Sequence, residues 1–288
     1  MKTRILSGIV LAIFMAVVLF TGKEVMAVAF SILSCIGFTE ITRATKNKSD
    51  NHEEKKFIGK LNILEFCGIV GTLIYYSLLY FAQKTDTLTA CLIGILVVFL
   101  LTYVFTFPKF TASEVFNTYF AFIYATVVFA FFYRTREFSG IFDTQHFETG
   151  FYAAFVIIIS SWISDTCAYF VGVCIGKHKI FPVLSPKKSL EGCIGGVIGS
   201  GIFGCLYGLL LHEFNVCGTK FILYFGIMCM CGSVIGQIGD LAASGIKRNF
   251  GIKDYGKLIP GHGGVMDRFD SMILISPLVY FICYYLLK

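Results

Sequence analysis

Charge is scarce in this chain. Asp, Glu, Lys and Arg make up 15% of its 288 residues, where soluble domains carry about 25%. With 56% hydrophobic residues and a mean hydropathy of +0.77, that scarcity excludes an ordinary soluble domain. Other signatures are missing too. No series of weakly alternating segments of about ten residues marks a transmembrane barrel. No Walker A loop or Rossmann glycine pattern marks a standard nucleotide fold. Cys229-Met-Cys231 has no second Cys or His pair at zinc-like spacing, and His262 stands alone, which argues against a zinc centre. No long internal repeat interrupts the hydrophobic runs.

What is present is apolar sequence, in runs near 5–20, 25–39, 61–82, 89–107, 115–133, 150–175, 193–211, 219–238 and 270–287. About 20 apolar residues cross a bilayer as a helix. The expected fold is therefore all-α, a polytopic integral membrane protein with about nine transmembrane helices. The first two runs are short enough for a tight hairpin. Lys2 and Arg4 before the first run, and "AVA" at 27–29, resemble a secretory leader. Hydrophobicity carries through that point, so a retained first helix is expected. Most of the eleven cysteines fall within apolar runs and read as small buried hydrophobes. With a cytoplasmic N-terminus, eighteen Lys and Arg residues fall inside and six outside. That bias follows the positive-inside rule and supports an odd number of spans. The net charge of +6 thus reports topology before it reports a partner. The mixed-charge stretch 41–60 reads as a solvated linker.

Three stretches break the apolar rule. In "SSWISDTCAYFVG" (160–172), Asp165 lies inside a run, where a charge costs about 3 kcal/mol on insertion scales. Asp165, Tyr169 and Gly172 share a helical face. Asp165 either hydrogen-bonds a neighbouring helix or lines a polar cavity. The second stretch, "GKHKIFPVLSPKKSLEG" (176–192), offers Ser185, Lys187, Lys188, Ser189 and Glu191. Paired lysines and hydroxyls suit phosphate oxygens, although a topology anchor would look the same. The third stretch runs from 236 to 271. Asp240, Ser244, Lys247 and Arg248 form one stripe if the helix continues out of the membrane. The Gly-rich segment that follows, with Pro260, must be a loop. Gly263 and Gly264 would let backbone N–H groups approach a ligand, and His262 would donate to a phosphate or pack in the loop. Asp267 and Ser271 open the last helix, with Asp270 beside them.

Asp240 and Asp267 flank the same loop. Hard carboxylate oxygens without softer ligands suit Mg²⁺, which takes one or two carboxylates plus substrate phosphates. Lys247, Arg248, Lys253, Lys257 and Arg268 would balance phosphate charge. Such a set suits phosphoryl or nucleotidyl transfer, with a salt-bridged loop as the plainer alternative.

The run from Ser244-Gly-Ile-Lys-Arg248, through Lys253-Asp254-Tyr-Gly256, to Ile259-Pro-Gly-His-Gly263-Gly264-Val-Met-Asp267-Arg268-Phe-Asp270 resembles the signature of the phosphatidate cytidylyltransferases, or CDP-diacylglycerol synthases, at every fixed position. "SPKKSLEG" (185–192) and Asp165 resemble the family's upstream pattern. The resemblance covers roughly 160–271; the first 150 residues agree only in being hydrophobic. It implies that phosphatidate and CTP react to give CDP-diacylglycerol and pyrophosphate. It also implies a helical membrane enzyme in contact with lipid, a homodimer, with Mg²⁺ or another divalent cation and no nucleic-acid partner. By that resemblance Asp240 and Asp267 hold the metal. Lys247, Arg248, Lys253 and Arg268 bind phosphates, and Ser185, Lys187, Lys188 and Ser189 help to bind those of CTP or phosphatidate. Asp165, Glu191, Asp254 and Asp270 support the site. The chain then divides into N-terminal transmembrane helices (1–149) and a catalytic region (150–288) with cytoplasmic loops 176–192 and 240–270. A bacterial inner membrane is the expected location, with the site facing the cytoplasm. The competing readings are a CTP-dependent polyprenol or dolichol kinase and a transporter. The D-G-x₂-A-R pattern of CDP-alcohol phosphotransferases is absent.

Overall fold

The computed structural model describes residues 2–45, 61–82, 84–142, 144, 147–261 and 263–286. Among these residues the regular elements are helices, with two isolated β-bridges, Lys179 to Ser189 and Ile259 to Gly263. We number the helices α1 (Lys2–Phe20), α2 (Lys23–Ala44), α3 (Ile63–Phe81), α4 (Thr85–Thr106), α5 (Ala112–Arg136), α6 (Thr149–Ile175), α7 (Leu190–Glu213), α8 (Lys220–Asn249) and α9 (Met266–Leu286). Helices α5 and α6 each contain a π-helical turn, at Ile123–Val128 and Ile159–Ile163. Among the described residues, α2 to α9 are long and apolar enough to cross a membrane, and α1 has a shorter apolar part, Ser7–Phe20. The protein is a polytopic helical membrane protein. Thr21 and Gly22 join α1 to α2, with Gly22 at φ +99°, so the expected tight hairpin forms. Ala27–Ala29 lies within α2.

Two helix ends depart from the apolar runs. Helix α8 continues eleven residues past the run's end at 238, and α9 begins at Met266, four residues before its run. Hydropathy falls where polar side chains begin, but Asp, Ser, Lys and Arg can continue a helix. At 30 residues, α8 is about 45 Å long. A bilayer core is about 30 Å thick, so roughly ten residues have length to project beyond it.

The chain forms two compact units: residues 1–130 with 250–268, and residues 131–249 with 269–288. In the first, Phe30, Phe38, Phe99, Phe122 and Phe129 are fully buried. Polar pairs tie its helices, Ser34 Oγ to Tyr76 OH at 2.9 Å and Thr72 Oγ1 to Thr126 Oγ1 at 2.9 Å. Asn62 and Glu65 close a capping box at the start of α3, satisfying two of its unpaired N–H groups.

The second unit is built on a stripe of small residues. Gly192, Gly196, Ser200, Gly204 and Gly208 recur at every fourth position of α7, and all are buried. Lipid tails give apolar helices no hydrophobic reason to associate, so close backbone packing supplies the attraction. A Cβ on Gly196 would lie 2.9 Å from the Ser164 carbonyl oxygen of α6; on Gly204 it would lie 2.7 Å from that of Phe225 in α8. One stripe therefore seats α6 along its first half and α8 along its second. Hydroxyls add links, Ser164 Oγ to Ser233 Oγ at 2.6 Å and Ser161 Oγ to Ser271 Oγ at 2.7 Å. Gly204→Leu is expected to lower stability in detergent by about 1–3 kcal/mol through overpacking, read as a lower thermal midpoint. Gly94→Leu, at a position with nothing within 4 Å, should leave the midpoint unchanged.

Candidate functional site

The second unit contains a cavity of about 430 Å³ walled by Asp165, Tyr169 and Gly172 of α6, Lys187 and Lys188 of the following loop, and Gln237 of α8. The three α6 residues expected to share a face do line one wall. Gln237 is fixed by donating from Nε2 to the Cys193 carbonyl oxygen at 3.1 Å. The loop owes its shape to local bonds. Ser189 caps α7, accepting from Gly192 N at 3.2 Å. Glu191 accepts from Lys177 N at 3.1 Å and pairs with His178 Nδ1 at 2.5 Å. The Ser185 carbonyl oxygen accepts from Lys188 N at 3.1 Å across Pro186. Ser189 and Glu191 thus hold the loop, while Lys187 is exposed to solvent.

Lys188 reaches from this loop to α8, where its Nζ lies 2.5 Å from Asp240 Oδ2. The two side chains are 23% and 31% exposed. Lys188 Nζ itself is buried, so the Asp240 carboxylate is what meets its charge, and an incoming anion would have to replace that carboxylate. Asp270 of α9 is 8% exposed, accepts from Ser271 N at 2.8 Å, and lies within electrostatic reach of Asp240, Lys247 and Asp165. Lys247 is likewise buried, Ser244 half-buried and Arg248 exposed. Three helices thus bring Asp165, Asp240 and Asp270 together with Lys188 and Lys247. Among the described residues no three His, Cys, Asp or Glu side chains form a complete metal cage. Mg²⁺ does not require one, because it takes one or two carboxylates and completes its shell with water and phosphate. The all-oxygen donors Asp240 and Asp270 fit that cation.

In the first unit, segment 250–268 folds back on itself. Ile259 N donates to the Gly263 carbonyl oxygen at 2.8 Å, and Gly263 has φ +88°, a left-handed geometry that suits glycine. His262 lies outside the described residues. Asp267 Oδ2 accepts from Tyr255 N at 2.8 Å and Gly264 N at 2.9 Å. A cavity of about 510 Å³ is lined by Lys253, Asp254, Lys257 and Arg268. Arg268 Nε is buried with no hydrogen-bond partner among the described residues. A donor in that condition beside two lysine side chains suits an anion.

One participant was not read from the sequence. Glu40 of α2 is buried and accepts from Val265 N and Met266 N, each at 3.0 Å. Its signal was an acid at the end of an apolar run, a placement that marks a functional candidate in membrane helices.

Apolar spanning helices, a loop lysine paired with a helix carboxylate, and a basic Gly-rich segment define a class: integral membrane proteins equipped for phosphorylated substrates. The comparisons narrow it. A model of the cytidylyltransferase family matches residues 2–286. A phosphatidate cytidylyltransferase of Bacillus subtilis (strain 168) is 31% identical over 288 residues, covering 98% of this chain and 97% of that one. Its counterpart in Staphylococcus aureus (strain COL) is 47% identical over 126 residues, 44% of this chain and 45% of that protein. The chain belongs to the cytidylyltransferase family, and it is a nucleotidyltransferase.

Proposed function

We propose that this chain transfers the cytidylyl group of CTP to phosphatidate, forming CDP-diacylglycerol and pyrophosphate. The observation that carries this reading is the Lys188–Asp240 pair beside a cavity walled by membrane-spanning helices. It offers a cation for a phosphate and a carboxylate for a metal next to a lipid phase. The phosphate of phosphatidate already carries a nucleophilic oxygen, so the chain need not supply a general base. That oxygen attacks the α-phosphorus in line, and the bond to the departing pyrophosphate breaks. What remains for the protein is positioning and neutralisation.

Lys188, on leaving Asp240, meets a substrate phosphate, with Lys187 beside it. Lys247 and Arg248 extend the positive charge along α8, with Ser244 one turn from Asp240. Lys253, Lys257 and Arg268 are suited to a second phosphate-bearing group, and Asp254 belongs to the same cavity wall. Asp240 and Asp270 are the carboxylates that would hold Mg²⁺, and the family pattern extends that expectation to Asp267. A bound cation would supply charge neutralisation at the transferring phosphorus. Lipid tails must stay in the bilayer, so Asp165 and Tyr169 are read as facing the lipid headgroup. The cytoplasmic orientation, bacterial inner-membrane location and homodimeric state belong to this proposal. Purified protein given CTP and phosphatidate vesicles should release pyrophosphate and form CDP-diacylglycerol one for one. EDTA should stop both and excess Mg²⁺ restore them. Full turnover in EDTA would remove the metal, and pyrophosphate release without phosphatidate would remove the lipid acceptor.

A further inference from the structure

The most telling group without a role in the reaction is a carboxylate in α2. Glu40 is 3% exposed, and a charge so deeply buried persists where donors meet it. Its two oxygens take two successive amides, Oε1 from Val265 N and Oε2 from Met266 N, both at 3.0 Å. These N–H groups lie at the start of α9, where a helix has no internal partners for them and favours negative charge. Gly264 N donates to Asp267 Oδ2, so three consecutive amides end on two acids.

The surrounding residues are shaped for this contact. A Cβ on Gly256 or on Gly264 would collide with the Glu40 carboxylate. One turn earlier on α2, a Cβ on Gly37 would collide with the Met266 side chain. Two glycines of the Gly-rich segment thus leave room for an acid more than 200 residues away in the chain.

We infer that Glu40 is a positioning residue: from α2 it holds segment 250–266 in the shape in which Lys253, Lys257 and Arg268 meet phosphate. The inference rests on the reaction proposed above. Glu40 touches no substrate; it acts through the backbone at 265 and 266. Loss of the anchor lowers the fraction of molecules with a competent segment, and apparent affinity falls by that fraction. Saturating CTP recovers the competent state, so the effect falls on KM more than on kcat.

The test is Glu40→Gln, which keeps the size but replaces one accepting oxygen with a donor. The KM for CTP is expected to rise about 10- to 100-fold, the range for losing hydrogen bonds to a charged group, with kcat within about threefold. Hydrogen exchange of peptides covering 255–270 should accelerate, while exchange in α7 stays as in the unsubstituted protein. An unchanged KM, or equal protection of that segment in both proteins, overturns the inference. If Glu40→Gln does not fold, Glu40→Asp keeps the charge one carbon shorter and should give the same KM-weighted loss; a loss confined to kcat would overturn it. An inactive unsubstituted protein would count against the proposed reaction alone, because the exchange comparison still tests the anchor.

Discussion

Replacing Asp240 with asparagine is expected to lower CDP-diacylglycerol formation by about 10²- to 10³-fold, the usual cost of removing one electrostatic stabiliser. The fold should survive. Asp240 is 31% exposed and Lys188, its partner at 2.5 Å, is 23% exposed. Lys188 Nζ itself is buried, however, so the lysine left behind is poorly screened and a stability loss of roughly 1–3 kcal/mol is expected beside the loss of activity. Asparagine preserves the shape but halves the Asp240–Asp270 carboxylate pair. Lys188→Gln should weaken activity less, because Lys187 is nearby. The double variant should be no worse than Asp240→Asn alone, because substitutions in one network are not additive. The check is kcat/KM in detergent together with helical content and gel-filtration profile. Unsubstituted turnover in Asp240→Asn would remove that residue from the chemistry.

Asp267→Asn is expected to abolish activity, with a loss of at least about 10³-fold, while the protein stays folded. Here the choice of substitution carries the information. One oxygen of Asp267 accepts both Tyr255 N–H and Gly264 N–H. Asparagine keeps one such oxygen, so it can retain the turn and lose only the charge. Alanine loses both. Equal inactivity of the two variants would mean that the charge is needed, as the metal expectation requires. An active asparagine variant beside an inactive alanine variant would reduce Asp267 to an anchor of the segment. Assays at saturating and limiting CTP, with thermal midpoints as the folding control, separate these results.

The two acids also show what was legible in the sequence. Both stand out because an apolar chain places few charges near its spanning segments, and their spacing suggested helices that the structure contains. The extension of α8 to Asn249 was conditional in the sequence, because hydropathy falls at 238 while helical hydrogen bonding does not. Ser189 reads from the sequence as a phosphate-side group and Glu191 as support for the site; the bonds the structure shows build the loop, Ser189 as a helix cap and Glu191 as a strap to His178. Residue type gives the chemistry a side chain is capable of, whereas its partner depends on packing. Glu40 illustrates the limit most clearly. Its partners Val265 and Met266 contribute only backbone amides, and no pattern of side chains encodes that contact. The stripe of five small residues along α7 is present in the sequence but leaves no mark in the hydropathy, because glycine contributes little to it.

The most direct test of the account follows a phosphorus atom. Purified protein in phosphatidate-containing vesicles is incubated with Mg²⁺ and CTP radiolabelled at either the α- or the γ-phosphate, and the lipid is then extracted. Cytidylyl transfer predicts that the α-label enters the lipid only when phosphatidate is present, while the γ-label leaves entirely as pyrophosphate. Label from the γ-phosphate in the lipid, or no phosphatidate-dependent incorporation of the α-label, would contradict it.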